Sequence, residues 1–255
     1  MTVPSAPLPG PAGILVITGT STSVGKTVVT AAIAGLASAA GKSVAVVKPA
    51  QTGVDPRSPA ESDVPDADTV TRLSGVTDTH ELARFPDPLS PEAAARRSGQ
   101  PPLDVAAAAD YIVKLAAERD LVLVEGAGGL LVRYDPAGRT LADLTAALVS
   151  RRGHAGPEPA VSVLIVAPAG LGTLNHTALT AEALRQRSLP CAGVVIGSWP
   201  HRPGLAEREN LADLPVAANA PLLGVLPAGA GALGQAEFLA AARLGLAQDL
   251  GGSRR

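Results

Sequence analysis

The sequence predicts an α/β fold: one domain built on a mainly parallel sheet with helices on both faces. Three observations carry that expectation. Apolar runs of strand length alternate with longer helix-like stretches along much of the chain. Hydrophobic residues make up 46% of the chain but aromatics only 2%, so the core must be packed mainly from Val, Leu, Ile and Ala, as around buried parallel strands. The 255 residues suffice for one sizeable core, and no internal repeat or long linker divides them.

Residues 1–13 are rich in Pro, Ala and Gly, without a basic start or an apolar segment, and read as a flexible leader rather than an export signal. The domain proper is expected over residues 14–250, with 251–255 as a flexible tail. Strands are expected at 14–18, 43–47, 121–125, 161–167, 192–196 and 222–226. Helices are expected at 26–40, 104–118, 141–151, 175–187 and 236–248, with Gly41 stopping the first. The stretches 54–66 and 85–102, which carry much of the Pro, read as surface loops and candidate lids, and 153–159 breaks the helix before the next strand. Right-handed crossovers gather ligands at the carboxyl ends of such strands, so chemistry is expected in the loops that follow them.

A formal net charge of −2 with interspersed Arg and Glu leaves no basic stripe for nucleic acid. No uninterrupted apolar run approaches the roughly 20 residues of a bilayer span. The one cysteine, Cys191, excludes an intrachain disulfide and a Cys-based zinc cluster, and the four histidines lack metal-ligand spacing. The expectation is a soluble, cytoplasmic protein acting on small molecules, with no nucleic acid and no membrane.

The strongest motif follows the first strand: Gly19-Thr20-Ser21-Thr22-Ser23-Val24-Gly25-Lys26-Thr27, then an Ala-rich helix. Small residues let successive N–H groups turn around phosphate oxygens, and the helix start adds a positive dipole end. Lys26 suits the outer phosphates and the Thr27 hydroxyl a Mg²⁺ ion. Five residues separate Gly19 from Gly25, where the usual spacing is four. An ordinary glycine turn is the plainer alternative, but strand, loop, Gly-Lys-Thr and helix in this order make a P-loop NTPase-like fold the reading.

Lysine is scarce: Lys26, Lys42, Lys48 and Lys114 stand against 17 Arg. Where Arg is the usual cation, a Lys beside a phosphate-loop glycine or at a strand end suggests use of a compact ammonium, although Lys48 alone is equally a solvated strand-end charge. Glu125 ends an apolar strand and Gly126-Ala127-Gly128-Gly129 follow. A carboxylate there can hold Mg²⁺ bridging two phosphates, or simply accept backbone N–H groups.

With Lys48-Pro49-Ala50-Gln51-Thr52-Gly53, Leu171-Gly172-Thr173-Leu174-Asn175-His176, Ile196-Gly197-Ser198-Trp199-Pro200 and Pro221-Leu222-Leu223-Gly224 added in order, the chain resembles the dethiobiotin synthetases over about residues 14–227. The resemblance implies an ATP-dependent cyclo-ligase of biotin biosynthesis. Such enzymes join CO₂ to 7,8-diaminopelargonate through a carbamate and a carbamic-phosphoric anhydride, releasing ADP and phosphate, with ATP as co-substrate and Mg²⁺ as cofactor.

It also implies site residues. Lys26 and Lys48 act on phosphates and the reacting carbamate; Thr22, Ser23, Val24, Gly25, Lys26, Thr27, Val28, Gly197, Ser198 and Pro227 bind nucleotide. Thr27, Asp66 and Glu125 surround Mg²⁺, with Asp63 and Asp68 as neighbouring alternatives to Asp66. Thr52, Gly126 and Gly128 meet the substrate, as do Thr173, Leu174 and Asn175 contributed by the second chain of a homodimer. His176 reads as a first-turn polar residue.

Two positions depart from the family: members commonly carry an acidic residue or glycine where Ser23 stands, and some place an adenine-reading Asn where Gly197 stands. Gly197 offers no side-chain amide, so base selectivity is expected to relax and admit other nucleoside triphosphates. The rival reading is a partition- or switch-type ATPase regulating a protein partner. Those proteins carry an extra lysine where this chain has Ser21. An amidoligase would need a nucleophilic Cys and paired His, and Cys191 reads as a small core residue.

Overall fold

A computed structural model describes residues 13–55, 63–152 and 160–254. The leader expected at the amino terminus lies outside them except for Gly13, as do most of the 54–66 loop, the 153–159 break and Arg255. Seven strands form one sheet: β1 (Gly13–Gly19), β2 (Val44–Lys48), β3 (Thr79–Glu81), β4 (Leu121–Gly129), β5 (Val161–Ala167), β6 (Cys191–Trp199) and β7 (Leu222–Pro227). Their order is β3-β2-β4-β1-β5-β6-β7, and every pairing is parallel. All carboxyl ends therefore share one edge, with β1 at the point where the chain changes direction of travel across the sheet.

β1 and β5 are buried along their whole length, which explains their largely apolar character, with Thr18 and Ser162 the polar residues within them. Alternate β1 residues feed two cores. Leu15 and Ile17 pack with Val29 and Ile33 of α1 (Lys26–Ala39), Val70 and Leu73 of α2 (Asp66–Ser74) and Phe238 of α8 (Gln235–Gly245). Ile14 and Val16 face the layer made by α3 (Pro91–Ser98), α4 (Val105–Ala116), α5 (Leu141–Arg152), α6 (Thr173–Gln186) and α7 (Leu205–Ala218).

Three helices and one strand stand where no element was expected, and three helix starts move, that of α8 by one residue to Gln235, with its end at Gly245 rather than 248. The 85–102 loop contains α3: Ser90 and Pro91 open it and Gly99, at φ 69, closes it. α2 buries only Val70, Leu73 and Ser74, too few to give a visible stripe. α7 carries Pro215 inside its last turn, and β3 is three half-buried residues. Asp104 is the cap of α4 rather than its first residue, accepting from Ala106 N at 2.9 Å and Ala107 N at 3.1 Å. α6 begins at Thr173, ahead of the expected 175.

Residues 251–254, expected as tail, return onto α8: Ser253 N donates to Arg243 O at 2.7 Å and Arg254 N to Leu246 O at 3.0 Å. This segment starts beside the β7 edge, where Ala247 N donates to Leu223 O at 2.8 Å and shortens the stretch open to strand addition. No helix among the described residues is long and apolar enough to cross a membrane.

Candidate active site

The site is assembled from the carboxyl ends of β1, β2 and β4. At Gly19 a Cβ would lie 2.6 Å from Ser21 O and 2.9 Å from Val24 Cγ2, so the loop can fold back over the strand end only without a side chain. Ser23 and Gly25 take φ of 55° and 94°. Such left-handed residues turn neighbouring N–H groups into an anion-binding concavity, and Gly25 also caps α1. Thr20 N donates to Val166 O at 3.0 Å, tying the loop to β5. Gly197 of β6 presses on the same loop: a Cβ there would meet Val166 Cγ1 at 2.9 Å and Gly25 Cα at 3.1 Å, and would collide with the Val24 carbonyl.

Lys26 Nζ donates to Ser21 O at 3.2 Å. Burial and then the nearby Lys48 charge lower its pKa, against the opposing pull of Glu125 and Asp66. Lys48 lies deeper, with Nζ 2.5 Å from Asp66 Oδ2 and 3.0 Å from Glu125 Oε1, and donates to Gly126 O at 3.3 Å. Burial opposes its charge, but the two carboxylates outweigh burial and hold its pKa above the ordinary lysine value. For Asp66 burial pushes the pKa up, and Lys48 with the Thr27 hydrogen bond holds it below the ordinary 3.8. Thr27 Oγ1 stands 2.8 Å from both Asp66 Oδ1 and Glu125 Oε1, and its single proton serves one of them at a time.

These groups open onto a cleft of about 480 Å³. Thr22, Ser23, Gly25, Val28, Thr52 and Gly128 line it together with Lys26, Thr27, Lys48, Asp66 and Glu125. Among the three neighbouring aspartates, Asp66 meets Thr27 and Lys48; Asp63 lines the cleft mouth, and Asp68 is exposed in the first turn of α2. Gly197, Ser198 and Pro227 sit at the ends of β6 and β7, where Ala228 N donates to Trp199 O at 2.7 Å. Gly197 adjoins the phosphate loop through its contact with Gly25, and none of the three lines the cleft.

Thr173, Leu174 and Asn175 start α6, after Gly172 at φ 92, and none of them lines the cleft. Thr173 is buried and its hydroxyl lacks a hydrogen-bond partner among the described residues, while Asn175 is exposed.

Two residues that sequence reasoning gave no role support the cluster. Gln51 is buried; its Oε1 accepts from Asp66 N at 3.0 Å and its Nε2 donates to Thr52 O at 2.9 Å, so it ties the β2 loop to the start of α2. Its place within Lys48-Pro49-Ala50-Gln51-Thr52-Gly53 was the available signal. Tyr134 is fully buried behind the glycine-rich end of β4, and its hydroxyl accepts from Ala127 N at 3.4 Å. Burial is the main cause raising its pKa to about 12. No sequence pattern announced it.

A family model described as an AAA domain matches residues 14–231. An ATP-dependent dethiobiotin synthetase from Frankia casuarinae is 58% identical over 241 residues, 94% of each chain. One from Streptomyces avermitilis is 57% identical over 240 residues, again 94% of each. The chain belongs to the ATP-dependent dethiobiotin synthetase family. Among solved structures it is similar to the septum site-determining protein MinD complexed with Mg-ADP from Pyrococcus horikoshii. The TM-score is 0.56, with 15% identity and 94% of each chain covered. It is also similar to the cell division protein FtsY from Thermotoga maritima, at TM-score 0.53 and 16% identity, covering 95% of this chain and 72% of that one. At such identities these likenesses speak for the P-loop fold alone. Function is carried by the dethiobiotin synthetase relatives, so the switch-ATPase reading is not favoured, and a ligase that consumes ATP suits a cleft with two lysines beside a phosphate loop.

Proposed function

We propose that the family's ring closure, from 7,8-diaminopelargonate, CO₂ and ATP to dethiobiotin, ADP and phosphate, takes place in the cleft at the ends of β1, β2 and β4. The convergence of Lys26, Thr27, Lys48, Asp66 and Glu125 carries this reading. Thr27, Asp66 and Glu125 present the hard oxygens that suit Mg²⁺, and the ion would balance charge on the β- and γ-phosphates when bound.

One substrate amine attacks CO₂ and loses a proton, giving a carbamate. A carbamate oxygen attacks the γ-phosphorus as the bond to ADP breaks. The second amine then attacks the carbamate carbon and loses a proton as phosphate leaves. The protein's part is to balance charge and hold geometry: Lys26 at the outer phosphates, Lys48 at the carbamate and transferring group, Thr52 and Gly128 beside the diamine, and Gly126 through the carbonyl that engages Lys48. Thr22, Ser23, Val24, Gly25 and Val28 hold phosphates and ribose, and Gly197, Ser198 and Pro227 adjoin the base. Gly197 offers backbone groups only, which favours use of nucleoside triphosphates besides ATP.

The same reading makes the molecule a cytoplasmic homodimer in which Thr173, Leu174 and Asn175 of one chain receive the substrate carboxylate in the other's cleft. Two observations support a second copy. The α6 start does not line its own cleft, and Leu131 and Leu179 are exposed in a groove of about 420 Å³ that also borders Thr20, Ser21 and Thr22. Phosphate release from Mg·ATP and bicarbonate tests the function. Release should depend on 7,8-diaminopelargonate and match dethiobiotin formed one to one; equal release without the diamine would refute it.

A further inference from the structure

We infer that Lys48 and the divalent cation compete for the same two carboxylates, so that cation binding and availability of the Lys48 ammonium to the reacting groups are coupled. This rests on the proposed ligand set of Thr27, Asp66 and Glu125. Lys48 Nζ lies 2.5 Å from Asp66 Oδ2 and 3.0 Å from Glu125 Oε1. Glu125 Oε1 is also 2.8 Å from Thr27 Oγ1, so Lys48 holds an oxygen of the ligand set itself rather than a distant one.

The competition follows from charge. Glu125 is 1% exposed and Lys48 5%. A buried carboxylate such as Glu125 without a cation beside it carries a heavy desolvation cost, which the lysine offsets. A dication needs those oxygens, and an ammonium kept between them would repel it at short range. Lys48 has somewhere to go, because it lines the open cleft with Ala50, Thr52 and Gly128, and its four-carbon stem is flexible. One side chain thus serves as counter-ion to the carboxylates and, with the dication in place, as the cation presented to the carbamate.

The chain's four lysines make a direct test practical. The protein labelled with ¹³C at lysine Cε is titrated with Mg²⁺ alone, and the Lys48 signal is assigned with Lys48→Arg. It should move saturably with Mg²⁺ while those of Lys42 and Lys114 stay in place, and Asp66→Asn should raise the midpoint about tenfold. In parallel, calorimetry on Lys48→Met should show Mg²⁺ binding about tenfold tighter than the unsubstituted protein, because the competing cation is gone. A Lys48 signal that stays still while Mg²⁺ binds, or Lys48→Met with unchanged or weaker Mg²⁺ affinity, overturns the competition and leaves the ligand assignment standing if Asp66→Asn still weakens binding. Tight binding that survives in Lys48→Met/Asp66→Asn overturns the ligand assignment and the inference with it.

Discussion

At the scale of single residues, the two lysines differ in surroundings and should differ in kinetics. Lys26 lies along the phosphate loop, whereas Lys48 is set between the Asp66 and Glu125 carboxylates. Lys48→Ala should lower turnover about 10²- to 10³-fold with nucleotide affinity little changed, while Lys26→Ala should lose both. Single-turnover rates and nucleotide titrations separate the two cases; near-normal turnover in Lys48→Ala at saturating substrates would remove it from the chemistry. For the cation, Asp66→Asn should raise the Mg²⁺ concentration for half-maximal activity, and so should Gln51→Leu, because Gln51 holds the Asp66 backbone. Asp63→Asn and Asp68→Asn serve as comparisons. A shifted Mg²⁺ requirement in either of them, with none in Asp66→Asn, would move the assignment to the other carboxylate. Much of this cluster was legible in sequence because Gly-Lys-Thr, the strand-end Lys48 and Glu125-Gly126 each announce themselves by type and position. Gln51 and Tyr134 were not, since their roles depend on contacts to residues 15 and 7 positions away and on burial that no spacing encodes.

At the scale of elements, strands β1, β2 and β4 to β7 were readable because parallel strands buried on both faces leave continuous apolar runs. α2, α3, α7 and β3 were hidden for separate reasons: too few buried residues, a Pro-rich approach, Pro215, and half-burial. α7 has a positioning part to play. Asn210, 5% exposed, donates through Nδ2 to Ala169 O at 2.7 Å and Gly170 O at 3.3 Å, pinning the β5–α6 turn that leads into Thr173 to Asn175. Asn210→Leu should raise KM for the diamine about tenfold, leave KM for ATP near its original value, and be partly rescued in Asn210→Gln. Equal changes in both KM values would mean the loss is general instability. Gly197 is set by β6 pressing on the phosphate loop, so Gly197→Ala must push the Val24–Gly25 backbone aside. It should weaken nucleotide binding and lower stability by about 1–3 kcal/mol; unchanged melting and affinity would show that the contact is looser than described.

At the scale of the whole molecule, one chain gathers Lys26, Thr27, Lys48, Asp66 and Glu125 at its cleft and carries Asn175 exposed elsewhere. The sheet order explains the separation: β1 and β4 are neighbours, while α6 follows β5 on the other side of β1. A two-fold arrangement that brings Asn175 of one copy to the cleft of the other allows two inactive variants to restore one another. The most direct measurement mixes Lys26→Ala and Asn175→Ala chains in equal amounts after confirmed subunit exchange and follows dethiobiotin formation. Half of the reassorted dimers are mixed, and each has one intact site and one doubly damaged site, so activity should recover to about a quarter of the unsubstituted enzyme. Activity that stays at the background of the two separate variants would contradict the shared site and return both residues to the same chain.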